Sequence, residues 1–270
     1  MYLNILNYLY MLYFAFPKKK DLFNEINIIQ VFIILIPIAL VSGPFLPDLL
    51  LVCIDILFIK YLWNNKKIFK VFYTRIFLCL LFFWIYLVFR SLFVDSEFIL
   101  FSLKSSLFYI RFIIFFVCIN YIIENDYKFI KKFVLCVWFV ILLLIIDGYY
   151  QFFSGYSILG YSKFGIVGNN SVIRLSSLFR DELILGSYIS KFFFISLTLL
   201  FFFNIKNKIN LYLIYLVFFS IIILTYLSGE RAAFVTLGMG LLLSALLLKK
   251  INFKKNLFGF IILLLFLALF

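Results

Sequence analysis

Apolar runs of about 20 residues, separated by short turns rich in lysine, dominate this sequence and leave few folds open to it. About 20 residues of α-helix cross the 30 Å core of a bilayer, and inside that core the backbone polar groups must be paired within the helix. Hydrophobic residues make up 66% of the chain and charged residues only 14%, which is not the balance of a soluble domain. We therefore predict an all-α, polytopic transmembrane helical bundle with about nine spans.

The predicted spans follow an aromatic-rich segment over 1–26, which we assign to the membrane interface or the cytoplasm because its apolar stretch is short. Residues 27–270 are assigned to one transmembrane domain with an outer loop over 150–183. The last span is still apolar at Phe270, so we expect the chain to continue beyond it. The spans are expected at about 28–42, 49–62, 71–89, 105–123, 133–149, 183–203, 211–227, 232–248 and 257–270.

The distribution of basic residues among the turns predicts the orientation. With a cytoplasmic N-terminus, 17 of the 25 lysines and arginines lie on the cytoplasmic side, as the positive-inside rule requires. The loop over 150–183 and the turn at 228–231 then face outward. This topological bias accounts for the net charge of +13, and no folded basic surface is available to bind nucleic acid.

Arginine departs from the pattern set by lysine. Sixteen of the nineteen lysines are predicted to be cytoplasmic, whereas five of the six arginines are predicted at the outer face or in the membrane. These five are Arg90, Arg111, Arg174, Arg180 and Arg231. A guanidinium group binds phosphate through two parallel hydrogen bonds and stays charged near lipid, which favours an anionic ligand. The alternative is chance placement, with the side chains reaching toward lipid headgroups.

The longest polar segment between the apolar runs covers residues 147–182, and we expect it to lie beside the turn at 228–231. Asp147 and Gln151 end a predicted span with groups that can hydrogen-bond sugar hydroxyls. Arg231 opens a predicted helix, where the helix dipole disfavours a cation. An anion bound at this helix N-terminus would explain that placement.

Two carboxylates outside this pattern have more than one explanation. Asp55 lies inside a predicted span, where an unpaired charge costs at least about 2.5 kcal/mol. We expect it to lie near a helix end, or to be protonated or paired, and a proton-relay role is the alternative. Glu230 could act as a base, but a local ion pair with Arg231 is the simpler expectation.

Together these features resemble the bacterial O-antigen ligase and O-antigen polymerase superfamily, membrane glycosyltransferases that act on lipid-linked oligosaccharide. The resemblance covers about residues 27–270. It is carried by the span end from Asp147 to Gly155, by residues 174–179 and 185–188, and by the turn from Leu227 to Ala232, with further likeness at 42–48 and 109–111.

The resemblance implies a GT-C-like bundle in the bacterial inner membrane, with a cytoplasmic N-terminus and a periplasmic active site. Its donor would be an undecaprenyl-diphosphate-linked glycan, and its acceptor the lipid A-core or a growing glycan. No metal or other cofactor is implied. Arg174 and Arg231 would be catalytic groups that bind the diphosphate. Arg180, Arg111, Asp147 and Gln151 would be substrate-binding, although Arg180 falls where the family usually has a small residue.

The absence of histidine departs from the ligase branch of that family, which places an important histidine in a large outer loop. We expect that loop beyond Phe270, or an inactive copy. Ligase and polymerase activity are not separated by these residues, because both use the same donor. A transporter or flippase of lipid-linked sugar is the alternative function, and a structural membrane subunit is a third. An internal repeat and helices broken at mid-membrane, which are typical of transporters, are not seen in the sequence.

Overall fold

The computed structural model describes residues 25–65, 72, 74–95, 97–162, 164–167, 170–180, 182–197 and 208–247. Most of the predicted N-terminal segment and the whole of the ninth predicted span lie outside these residues. The described helices are α1 (Glu25–Ala39), α2 (Phe45–Asn64), α3 (Arg75–Ser91), α4 (Ile99–Phe108), α5 (Ile110–Asn125), α6 (Lys128–Ser154), α7 (Leu185–Leu197), α8 (Lys208–Leu227) and α9 (Arg231–Leu247).

Two helical stretches in the described part of the chain are long and apolar enough to cross a membrane. They are Ile99–Asn125, which comprises α4 and α5, and Lys128–Ser154, which is α6. Each has 27 residues and so a length of about 40 Å at helical rise. The total of about nine spans stays a prediction.

A short antiparallel hairpin departs from the all-α expectation. Strand β1 (Phe164–Val167) pairs with β2 (Asn170–Ile173), with Phe164 opposite Ile173. The hairpin lies within the predicted outer loop, so the helical architecture around it is unaffected.

Two predicted boundaries differ from the structure. The turn expected over residues 43–48 is shorter, because α2 already begins at Phe45 and includes Pro47 in its first turn. Proline is tolerated there since the first backbone N–H groups of a helix have no partner within it. The helix expected to end near residue 149 continues to Ser154, and Gly155 with φ of 87° follows it.

The chain divides into two compact units, residues 1–133 and 134–270. In unit 1, α2 packs against α1 and α5. In unit 2, α7 packs against α8 and α9. The core of unit 1 contains Ile29, Ile33, Ile54, Phe58, Val117, Cys118 and Ile122. Buried apolar residues of unit 2 include Val137, Ile141, Leu144, Leu185, Ile189, Phe193, Ile221 and Leu237.

Ile54 and Ile56 of α2 allow a matched test of this packing. Ile54 is fully buried, whereas Ile56 is 61% exposed. Ile54→Ala should lower the free energy of unfolding by about 2–5 kcal/mol, because it leaves a cavity between packed helices. Ile56→Ala should change it by less than about 0.5 kcal/mol. Unfolding in mixed detergent micelles measures both values, and equal losses in the two variants would contradict the described packing of α2.

Candidate functional site

Asp147 and Gln151 occupy one face of α6, one helical turn apart, near the C-terminal end of the helix. Their residues are only 1% and 0% exposed. Buried polar groups of this kind need hydrogen-bond partners, since an unsatisfied group costs about 1–3 kcal/mol. Both side chains find those partners in the segment that follows the helix.

The Asp147 carboxylate accepts hydrogen bonds from two separate parts of that segment. The backbone N–H of Ile158 donates to Oδ1 at 2.7 Å, and the Ser177 hydroxyl donates to Oδ2 at 2.6 Å. Charge-assisted hydrogen bonds of this length are among the stronger ones in proteins. Asp147 therefore holds the loop at 155–162 and the segment at 174–180 against α6.

The Gln151 amide holds the same two parts of the chain. Its Nε2 donates to the backbone carbonyls of Tyr161 and Ser162, each at 3.2 Å, and contacts Ser176 Oγ at 3.3 Å. Its Oε1 accepts from the backbone N–H of Ser177 at 2.7 Å. We call the hydrogen-bonded set of Asp147, Gln151 and Ser177 the clamp.

Backbone strain is concentrated in the segment that the clamp holds. Ser177 and Arg180 are the positive-φ residues other than glycine in the described part of the chain, with φ of 51° and 60°. Such a conformation costs about 1–3 kcal/mol for a residue with a side chain, and it persists only where surrounding contacts impose it. For Ser177 those contacts are its bonds to Asp147 and Gln151.

An aromatic contact joins the segment at 174–180 to α7. Phe179 is buried, and its ring centroid lies 5.3 Å from that of Tyr188. Leu175, also buried, precedes the clamp residues on the same segment. The segment is thus fixed to α6 by hydrogen bonds and to α7 by apolar packing.

The N-terminus of α7 is capped by a residue distant in sequence. The Glu230 carboxylate accepts from the backbone N–H of Gly186 at 2.8 Å, from that of Ser187 at 3.0 Å, and from the Ser187 hydroxyl. A carboxylate is favourable there because it satisfies unpaired N–H groups and complements the helix dipole. The expected ion pair between Glu230 and Arg231 was wrong: within the described residues, Glu230 bonds to α7 instead.

Close packing at Gly186 brings the start of α7 against the turn between α8 and α9. A Cβ added to Gly186 would lie 3.2 Å from the Cβ atoms of Glu230 and Ala233 and would collide with the Ser228 hydroxyl. Only glycine fits this approach without displacement. The small residue Gly186 therefore allows the close approach of α7 to this turn.

Three arginines, Arg174, Arg180 and Arg231, lie in the chain segments that these contacts involve. Arg174 lies beside the clamp, Arg180 follows it, and Arg231 follows the Glu230 cap. Arg174 Nε is buried and has no hydrogen-bond partner among the described residues, while Arg180 and Arg231 are exposed. None of the three forms a salt bridge with a carboxylate of the described residues.

Arg111, the fourth predicted arginine, belongs to unit 1 and has a different environment. Its guanidinium forms a salt bridge of 3.2 Å with Asp48 and lies 4.9 Å from the centroid of the Phe112 ring. A partner within the protein already balances its charge. A substrate contact by Arg111 stays a prediction.

Ser177 and the capping role of Glu230 were missed by sequence reasoning. A signal for the first was present, because Asp147 and Gln151 are four residues apart and therefore share one helix face. Glu230 and Gly186 are more than forty residues apart in the sequence, and no local sequence pattern predicts their contact.

No protein-family model, curated protein or solved structure matches this chain. The functional interpretation therefore depends on the geometry of the site and on the distribution of charge in the sequence.

Removing the Asp147 carboxylate tests the clamp. Asp147→Ala leaves Ile158 N–H and the Ser177 hydroxyl without their acceptor, so we expect a loss of about 1–3 kcal/mol in unfolding free energy. Limited proteolysis should also cut residues 155–180 faster than in the unchanged protein. Asp95→Ala, at an exposed turn, is the control and should alter neither quantity. Unchanged cleavage in Asp147→Ala would contradict the clamp.

Two glycines provide a paired test of the helix approach at α7. Gly186→Ala should lower the free energy of unfolding by about 1–3 kcal/mol, because the added methyl group separates α7 from the 228–233 turn. Gly238→Ala meets no atom within 4 Å and should leave stability unchanged or raise it by up to about 1 kcal/mol. Thermal unfolding in detergent measures both, and a stabilised Gly186→Ala variant would contradict the described contact.

Proposed function

We propose that this chain is a membrane glycosyltransferase that transfers or polymerises undecaprenyl-diphosphate-linked oligosaccharide in lipopolysaccharide or surface polysaccharide biosynthesis. The observation that carries this proposal is that Arg174, Arg180 and Arg231 lie on segments 174–188 and 228–233, which meet at Gly186, and form no salt bridge among the described residues. Arginines without a salt-bridge partner among the described residues are favourable positions for an anionic ligand.

A diphosphate suits these arginines better than a single carboxylate does. Each guanidinium can donate two parallel hydrogen bonds to phosphate oxygens, and a diphosphate offers enough oxygens for more than one arginine. The buried Nε of Arg174 has no acceptor in the part of the chain that the structure describes, and a phosphate oxygen would supply one. We assign Arg174 and Arg231 to the diphosphate, with Arg180 as a further substrate contact.

In the proposed reaction an acceptor hydroxyl attacks the anomeric carbon of the donor sugar. The bond from that carbon to the diphosphate oxygen breaks, and the polyprenyl diphosphate leaves with the bonding electrons. Arg174 and Arg231 stabilise the negative charge that develops on the leaving group. The acceptor loses its proton to a base that the described residues do not identify, with Glu230 already engaged as a helix cap.

Asp147 and Gln151 have a positioning role in this proposal. Their hydrogen bonds fix the backbone of Ser177, three residues from Arg174, and so restrict where the guanidinium can reach. Contact of Asp147 or Gln151 with a sugar stays a prediction. A fixed cation costs no reorganisation when the charge develops, which is the source of its catalytic advantage.

We place this site at the periplasmic face of the inner membrane, in a GT-C-like bundle of about nine spans with a cytoplasmic N-terminus. The concentration of lysine in alternate turns supports this orientation. The two 27-residue apolar stretches support a membrane location.

Replacing the guanidinium groups while keeping the charge tests the proposal. Arg174→Lys and Arg231→Lys should each reduce glycan transfer by about 10- to 100-fold, the effect of losing one charge-assisted hydrogen bond to the diphosphate. Transfer is measured in membrane vesicles by incorporation of labelled glycan from the lipid-linked donor into lipid A-core or longer chains. Arg75→Lys, at the start of α3 in unit 1, is the matched control and should keep full activity.

The same vesicles separate transfer from transport. If the donor crosses the membrane with its sugar–diphosphate bond intact, and both lysine variants block that crossing, the protein is a transporter and the glycosyltransferase proposal fails. Full transfer activity in Arg174→Lys and Arg231→Lys would refute the role of the bidentate guanidinium group.

A further inference from the structure

Asp55 is a buried carboxylate in the interior of α2, far from either end of that helix. It is 5% exposed and lies on the helix that contributes Ile54 and Phe58 to the apolar core of unit 1. Neither of its oxygens has a hydrogen-bond partner in the described part of the chain. A charged carboxylate in such surroundings is strongly disfavoured without a partner.

A second buried atom without a partner lies on the helix that packs against α2. Arg111 of α5 has a buried Nε with no acceptor among the residues that the structure describes, although its terminal nitrogen pairs with Asp48 at 3.2 Å. The Arg111 charge also interacts electrostatically with Asp55. The Arg111 charge therefore acts on two carboxylates, on Asp48 through direct contact and on Asp55 without a hydrogen bond.

The spacing of the two aspartates makes an exchange of partners feasible. Asp48 and Asp55 are seven residues apart, which places them on one face of α2 about 10 Å apart along the axis. Asp48 has 56% of its side chain exposed and can remain hydrated when Arg111 leaves it. Asp55 has no comparable access to solvent.

We propose that Asp55 is a proton-binding site of unit 1, and that Arg111 exchanges Asp48 for Asp55 when the proton leaves. In the described arrangement Asp55 is the neutral acid and Arg111 pairs with Asp48. Release of the proton converts the carboxylic acid to a carboxylate and creates one negative charge inside the unit. The guanidinium then turns along α2 to neutralise it, and Asp48 returns to solvent.

Other polar groups on the packed helices are already engaged. Glu25 of α1 pairs with Lys60 at 3.0 Å, and Gln30 of α1 donates to Asp126 at 3.2 Å. On α5, the Tyr121 hydroxyl shares a hydrogen bond with that of Tyr61, and the Cys118 thiol lies near enough to Asp55 to interact with its charge. Among the described residues of these helices, Arg111 is the cation whose charge acts on Asp55.

Infrared difference spectroscopy tests directly whether Asp55 binds a proton. The full chain is placed in lipid nanodiscs, and spectra are recorded as the pH is raised. A carbonyl band of a protonated carboxylic acid should be present at low pH, disappear on titration, and be missing from Asp55→Asn. A band that persists in Asp55→Asn, or no band in the unchanged protein, would overturn the proposal.

Three further variants test the exchange of partners. Arg111→Gln removes the cation, so the band should persist to a pH higher by about one unit or more. Asp48→Asn frees Arg111 for Asp55, so the band should disappear at a lower pH than in the unchanged protein. Asp95→Asn, at an exposed turn, should leave the titration unchanged. Identical titrations in Arg111→Gln and Asp48→Asn would overturn the exchange.

A variant that keeps the acid covers the case in which Asp55→Asn does not fold. Asp55→Glu retains a carboxyl group on a longer side chain, so the band should change frequency. An unshifted band in a folded Asp55→Glu protein would assign the proton to another residue and refute the site. The proposal does not depend on the glycosyltransferase function, because every readout is spectroscopic.

Discussion

The hydrogen bonds from Asp147 and Gln151 to the chain that follows α6 are the interactions on which the candidate site depends. These two buried side chains lie on one face of α6 and accept hydrogen bonds from the loop at 155–162 and from Ser177, whose backbone has a positive φ. Because their partners are backbone N–H and C=O groups as well as hydroxyls, the clamp fixes the path of the chain itself. The position of Arg174 follows from that path.

The Glu230 cap performs a comparable function for the turn between α8 and α9. Its carboxylate binds the start of α7 and so links α9 to the helix that follows the clamped segment. The Asp147 and Glu230 carboxylates thus bind backbone and hydroxyl groups of the scaffold and form no salt bridge with an arginine of the described residues. Arg111 shows the contrast, since in unit 1 the nearest exposed carboxylate pairs with it directly.

Helical class and approximate helix positions could be read from the sequence, because apolar runs and basic turns determine them. The turn at 228–230 between α8 and α9 fell where the polar break indicated. The end of α6 was placed five residues too early, since Asp147 and Gln151 were interpreted as a helix exit when they form its loop-binding face. Polar residues inside an apolar run signal either a boundary or an internal contact, and the sequence alone does not separate the two.

Other features of the site depend on long-range contacts that local patterns do not encode. The left-handed backbone at Ser177 occurs at a residue type that seldom adopts it, and distant hydrogen bonds impose it. Glu230 follows the same rule, because its preference for Gly186 and Ser187 over the adjacent Arg231 arises only once α7 is packed. A common position of Arg174, Arg180 and Arg231 at the outer face stays a prediction from the sequence.

The central claim is that Arg174 and Arg231 bind one diphosphate, and a structure of the full protein in a lipid nanodisc with undecaprenyl diphosphate tests it most directly. The account predicts that guanidinium nitrogens of both Arg174 and Arg231 lie about 2.7–2.9 Å from diphosphate oxygens, at the outer membrane boundary. A diphosphate bound elsewhere, or the two arginines on opposite sides of the membrane, would contradict it.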